Sequence, residues 1–154
     1  MKRSRPQRNR VILGLIALML ISVNAWADNS HATCNNATFA GTYVYAYYGS
    51  SGTGSALTRF AVAGLAVFNG DGTSHGVWTT ATEEQPVAHR VTFQGTYHVN
   101  SDCSATEIDT DQNGNVFHYD DFSGPDGREI GFIQTDPGVV SSGTEFRRQK
   151  VPHR

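Results

Sequence analysis

Beyond residue 27 this sequence lacks helical periodicity: no stretch places apolar residues at the three- and four-residue spacing of an amphipathic helix. An all-β fold is the expectation that remains. Lysine is almost missing from the same region, with Lys150 the single one, and seven basic residues there face 14 acidic ones, a net charge of −7. Phosphate binding needs clustered lysine and arginine, so nucleic acid is not an expected partner. There is no Gly-x-Ser-x-Gly elbow, no Cys-x-x-Cys pair and no phosphate-binding glycine loop, and catalytic residues and cofactors are assigned to none. The six histidines, His31, His75, His89, His98, His118 and His153, show no metal-ligand spacing, and no metal is assigned to them.

Cysteine is scarce too, but the two present are informative. Residues 1–27 have the layout of an export signal: Lys2, Arg3, Arg5, Arg8 and Arg10, then the apolar run Val11 to Val23, then Ala25-Trp26-Ala27 as a cleavage pattern. That run is shorter than the roughly 20 apolar residues of a membrane-spanning helix, so no span is expected after cleavage. Residues 28–154 are then one domain in an oxidising compartment, periplasmic or extracellular, where Cys34 and Cys103 pair as a disulfide. In the chain-entropy model, a bridge between such distant positions stabilises a fold by about 4 kcal/mol.

What is abundant is strand and turn signal. Phe93, Gly95, Tyr97 and Val99 alternate with polar neighbours, and Asn100-Ser101-Asp102 reads as the tight turn that delivers Cys103. Thr38 to Tyr48 alternates likewise and predicts a first strand with Phe39, Tyr43, Tyr45 and Tyr47 facing in. Gly49 to Ser55 reads as a mobile surface loop. Further strands are expected at Leu57–Phe68, His75–Thr82, Val87–Asn100 with a bend at Gly95, Ser104–Thr110, Val116–Phe122, Arg128–Thr135 and Thr144–Val151. Ala61, Ala63, Gly64 and Ala66 leave the second strand thin, which either completes large-small packing or leaves a hollow.

Two echoes suggest an internal duplication. Phe39-x-Gly41-Thr42-Tyr43 recurs as Phe93-x-Gly95-Thr96-Tyr97, and Phe68-x-Gly70-x-Gly72 is matched by Phe122-x-Gly124-x-x-Gly127. The expected architecture is an eight-stranded antiparallel up-and-down barrel, calycin-like, with one disulfide; a two-sheet sandwich is the alternative.

Gly41-Thr42-Tyr43, Phe68-Asn69-Gly70-Asp71-Gly72, Gly95-Thr96-Tyr97-x-Val99-x-x-Asp102-Cys103 and Thr135-Asp136-Pro137-Gly138 through Thr144 together resemble a group of small exported bacterial proteins of unassigned function. The pattern departs at Ser104-Ala105-Thr106, where the group carries Thr-Gly-Thr. The resemblance implies the barrel and the disulfide, not an activity. A cysteine followed by Gly-Thr-Tyr is also similar to the opening of avidin-type barrels in the lipocalin-like class. With Trp78 the one tryptophan beyond residue 27, biotin is not the expected ligand. Allene oxide cyclase barrels are similar in strand count and closure, an analogy of fold only.

Asp109-x-Asp111-x-Asn113-Gly114 through Asp120 matches the oxygen spacing of an EF-hand calcium loop, but Asn-Gly between two strands is equally a hairpin turn. The aromatic set is either a filled core or the lining of a pocket. On the pocket reading, Tyr43, Tyr45, Tyr47, Trp78, Tyr97 and Phe117 bind a small, mostly apolar or aromatic ligand beneath the Gly49–Ser55 loop. The alternatives are an envelope structural or interaction protein with a solid core, and a cyclase- or isomerase-type enzyme.

Overall fold

The computed structural model describes residues 33–148. The expected export segment 1–27 and Lys150 lie outside the described residues. A one-turn helix, α1 (Asn36–Phe39), leads into eight strands: β1 (Gly41–Thr53), β2 (Ala56–Phe68), β3 (Thr73–Thr82), β4 (Ala88–Val99), β5 (Ser104–Asp111), β6 (Val116–Ser123), β7 (Glu129–Gln134) and β8 (Val139–Arg147). Each strand pairs antiparallel with the next, and β8 returns to β1 with Tyr43 opposite Arg147 and Ser51 opposite Val139. The barrel is closed, so the sandwich alternative is overturned. Closure leaves no exposed edge to template another chain.

The strand face follows the period of two. On β1, Tyr43, Tyr45 and Tyr47 point in while Val44, Ala46 and Tyr48 point out. On β4, Val91, Phe93, Tyr97 and Val99 point in. The thin second strand resolves as large-small packing in the middle of the barrel. A Cβ on Gly64 would lie 2.8 Å from the Tyr45 hydroxyl, and one on Gly76 would lie 2.3 Å from the Phe93 ring. Those two rings occupy the volume that the glycines vacate.

Several local expectations are corrected. Phe39 is not in a strand; it ends α1, which Asn35 caps by accepting from Ala37 N at 2.9 Å while Thr38 Oγ1 accepts from Asn35 N at 3.1 Å. This reciprocal cap stabilises a turn too short to show periodicity. Gly49 to Ser55 is not a free loop: β1 and β2 extend through it as a long hairpin, with Gly49 opposite Phe60 and Thr53 opposite Ala56. The irregularity expected at Gly95 lies instead between β3 and β4, where the register shifts after Trp78 and Arg90 takes φ +54°. The last strand begins at Val139, five residues before the expected start, because Val140, Ser142 and their neighbours pair with β1 and β7.

The duplication holds only in part. The second echo matches the β2–β3 turn with the β6–β7 turn, but the first sets the start of β1 against the end of β4, and those strands run in opposite directions. Phe68 is buried while its counterpart Phe122 is exposed.

The disulfide Cys34–Cys103 forms as expected, with Cα atoms 5.1 Å apart. It ties the segment before α1 to the β4–β5 turn, so it fastens a plug to the barrel rather than one Gly-Thr-Tyr strand to the other. Cys34 N also donates to Ser101 O at 3.2 Å, and Asn36 Oδ1 accepts from Val99 N at 2.8 Å. Phe39 is completely buried beneath this plug, edge-on to Phe68 and parallel to Tyr97. The barrel therefore has a sealed end, at α1, and an opposite end framed by the β1–β2, β3–β4, β5–β6 and β7–β8 hairpins.

Candidate functional site: a mouth cavity above a carboxyl core

At the sealed end two tyrosines act as struts. The Tyr43 hydroxyl donates to Gly127 O at 2.6 Å and accepts from Arg147 Nε and Nη2 at 3.0 and 2.8 Å. Arg147 also donates to Asp126 O at 3.2 Å and to Thr38 O, so one guanidinium joins β8, the β6–β7 turn and α1. The Tyr97 hydroxyl accepts from Gly70 N at 2.8 Å and donates to Asn36 O at 3.1 Å. Of the six expected ligand contacts, Tyr43 and Tyr97 thus lie in the sealed end with their hydroxyls engaged.

At the open end lies a cavity of about 360 Å³. Trp78, Phe117, Phe60, Val62 and Val91 form its apolar wall and Tyr47 reaches it from below; Thr80, Thr82, Asp111, Asn113 and Gln134 supply polar positions. Trp78 is held by stacking on Phe93 at 5.0 Å and by an edge contact with Phe117 at 5.5 Å. Tyr47 meets Phe60 and Phe132 edge-on. Locked rings around a hollow are pre-organised to take up another flat apolar group. Three of the six expected contacts, Tyr47, Trp78 and Phe117, are brought together here, and Tyr45 lies deeper.

The calcium-loop alternative is overturned. Its segment is the β5–β6 hairpin: Asp111 Oδ1 accepts from Asn113 N at 2.8 Å and Asn115 N at 2.9 Å, while Asn115 Nδ2 donates to Asp111 Oδ2 at 2.9 Å. Asp111 satisfies its own turn, which holds its pKa below the usual carboxylate value. Asp109 points into the barrel and Asp120 belongs to the opposite face of β6, so they cannot share an ion.

Between the two ends is an arrangement that sequence reasoning missed. Glu107 and Asp109 on β5, Asp121 on β6 and Glu145 on β8 are all buried in the interior. Ser74 Oγ donates to Glu107 Oε1 at 2.9 Å and lies 3.5 Å from Asp109 Oδ1; its single proton serves one of them at a time. Gly95 makes room, since a Cβ there would stand 2.0 Å from Asp109 Oδ1. No basic side chain balances the group among the described residues: Arg59 and Arg128 are exposed in ion pairs, Arg90 and Arg148 are exposed, and Arg147 belongs to the sealed end.

Uncompensated burial disfavours the ionised form. Desolvation, then the neighbouring carboxylates, raises Glu107 and Glu145 well above the ordinary glutamate value. Desolvation likewise raises Asp109 to about 7, against the lowering effect of its hydrogen bonds with Glu107 and Ser74, and Asp121 to about 8. Asp109 and Asp121 therefore titrate close to neutral pH, within a group whose glutamates are shifted in the same direction, a condition that suits proton exchange or recognition of a positive charge. Above it the Tyr47 and Tyr119 hydroxyls stand 3.4 Å apart, and burial raises the pKa of both. A small internal cavity of about 20 Å³ adjoins Glu107, Asp109, Glu145, Tyr45, Tyr47 and Tyr119. That is room for one group of water size.

The missed signal was the phase of β5. From Cys103, the positions Ala105, Glu107, Asp109 and Asp111 face in, whereas Ile108, the one large apolar residue of that strand, is exposed. Hydrophobicity alone points Ile108 inward and assigns the wrong face.

No family model matches the chain, and no curated protein matches it. Among solved structures it is similar to a de novo designed fluorescence-activating β-barrel, with 14% identity over 72% of this chain and 94% of that one and a TM-score of 0.49. The barrel here is defined by its own continuous strand register. No helix among the described residues is long and apolar enough to cross a membrane.

Proposed function

We propose that this is a ligand-binding barrel that takes a small, mostly apolar or aromatic molecule into its open end, with Trp78, Phe117 and Tyr47 as the main contacts. The observation that carries this reading is the cavity of about 360 Å³ walled by locked aromatic rings, at the lower end of the size usual for small-molecule pockets. Tyr43 and Tyr97 are struts of the sealed end in this reading, and Tyr45 supports the floor. The same reading places the protein outside the cytoplasm: residues 1–27 direct export, residues 28–154 form the barrel domain, and the Cys34–Cys103 bridge suits an oxidising compartment.

Titration of the protein with a neutral environment-sensitive naphthalene dye tests the proposal. Saturable binding at one site, weakened at least about tenfold in Trp78→Ala and in Phe117→Ala, is expected; tenfold is about 1.4 kcal/mol, less than the full burial of one aromatic side chain supplies. Absence of saturable binding to any neutral apolar probe favours a filled envelope component instead. A second reading, an isomerase or cyclase, is favoured by Asp109, a carboxyl titrating near neutrality beside an internal cavity. Chemical conversion of a bound compound, lost in Asp109→Asn, is the outcome that selects it.

A further inference from the structure

Resting on the ligand-binding reading, the geometry points to a more specific ligand class: an apolar or aromatic amine, with its ring in the mouth and its protonated nitrogen lodged among Asp109, Glu107 and Glu145 beneath the Tyr47–Tyr119 pair. Four observations converge on it. Three carboxyls from two different strands border the small inner cavity, and no lysine, arginine or histidine faces them among the described residues. Glu145 is 7% exposed, borders that cavity, and its Oε2 has no hydrogen-bond partner; Asp121 Oδ2 nearby has none either. A buried acceptor left without a donor is destabilising, so the interior is organised for a donor that the described residues do not supply. Tyr47 borders both the mouth cavity and the inner one, so the two meet at that side chain.

The size and chemistry of the inner cavity narrow the donor. About 20 Å³ accommodates one group the size of water or ammonium, not a ring or a branched chain. Among the described residues no group of three or more histidine, cysteine or acidic side chains has the arrangement to hold a metal ion. A primary ammonium offers three donors and no acceptor, which matches Glu145 Oε2, a buried oxygen that no side chain among the described residues partners. The net negative charge beyond residue 27 favours the approach of a cation over that of an anion.

The titratable groups facing the nitrogen come from four strands: Tyr45 and Tyr47 on β1, Glu107 and Asp109 on β5, Tyr119 and Asp121 on β6, and Glu145 on β8; Ser74 of β3 adds a neutral hydroxyl. Burial raises all four carboxyls, Asp109 to about 7 and Asp121 to about 8, so the group still carries protons near neutral pH. An incoming ammonium stabilises the ionised form, so binding releases protons from the carboxyls to the solvent while the amine keeps its own.

Calorimetry with three matched probes at pH 7 decides the matter: neutral 1-ethylnaphthalene, cationic 2-(1-naphthyl)ethylamine and anionic 1-naphthaleneacetate. The expected result is that the amine binds at least about tenfold tighter than the neutral compound, with proton release revealed by comparing two buffers of different ionisation enthalpy, and that the anion binds weakest. Glu145→Gln, which keeps shape and removes charge, is expected to bring the ratio of amine to neutral-probe affinity down to about one. If Glu145→Gln does not fold, Asp109→Asn serves the same comparison. Equal binding of amine and neutral probe, or an amine advantage that persists in a folded carboxamide variant, overturns the cation assignment while leaving the apolar pocket intact. Binding of none of the three overturns the pocket and the cation assignment together.

Discussion

Phe39, Phe68, Tyr43 and Tyr97 at the sealed end pack ring against ring, with centroids 4.9 to 6.1 Å apart, and both tyrosine hydroxyls are tied to backbone. Trp78, Phe117 and Tyr47 at the open end are ringed on one side and border a hollow on the other. The residue types are the same. The difference lies in what covers them: α1, fastened by the disulfide and by Arg147, supplies Phe39 and fills one end, while four hairpins frame the other without filling it. Stability is thus expected to concentrate at the plug and recognition at the mouth.

The strongest way to break that comparison is Phe39→Ala. A large, completely buried ring replaced by a methyl group costs about 3–5 kcal/mol, so the urea midpoint is expected to drop steeply. A small drop would show that the plug is not where stability is held. The next effect comes from the carboxyl layer between the ends. Asp109 and Asp121 rise from 3.8 in the unfolded chain to about 7 and about 8 in the fold, and Glu107 and Glu145 shift the same way. Between those values the folded state holds more protons than the unfolded one. Stability is therefore fully present below about pH 4 and is lost progressively as pH rises towards about 8. Melting temperature measured from pH 5 to pH 9 is expected to fall, and Asp121→Asn to flatten the slope; a melting temperature that rises over this range contradicts the burial of these acids.

Gly64→Val tests the middle of the barrel from the other direction. Its side chain would collide with the Tyr45 ring and with Val77 O, and overpacking of this kind costs about 1–3 kcal/mol in the same urea assay. Trp78→Ala is expected to weaken binding of a neutral apolar probe at least about tenfold while lowering stability less than Phe39→Ala does, which sharpens the division of labour. Smallest of all is His118→Ala: in the 2.7 Å pair with Asp136 the imidazole is half exposed, and Asp136 keeps its bonds from His118 N and Gln134, so the loss is expected to change stability by less than about 1 kcal/mol. A larger change would mean that the hairpins of the mouth carry stability of their own.

Reading the chain alone located the strands within a few residues and paired the two cysteines, because alternation and turn chemistry are local. It misplaced Phe39, since a single capped turn leaves no period to detect, and it dissolved the β1–β2 hairpin into a loop, since Gly49 to Ser55 carries no apolar residue; cross-strand hydrogen bonds to β8 hold that segment anyway. The candidate site was half legible. Trp78, Phe117 and Tyr47 were visible as aromatic positions, but nothing local distinguished them from Tyr43 and Tyr97. Glu107, Asp109, Asp121 and Glu145 were invisible as a group, because a carboxyl at a strand position is ordinarily read as solvent-facing.

By itself the sequence determined a stapled, strand-rich chain with an aromatic interior, since each of those properties is written in spacing a few residues long. Tertiary structure alone decided which end is sealed, where the hollow lies, and that four acids from three strands meet inside with no base beside them among the described residues. Closure of the barrel sets the inward phase of every strand at once, and that collective choice overrides the preference of a single residue such as Ile108.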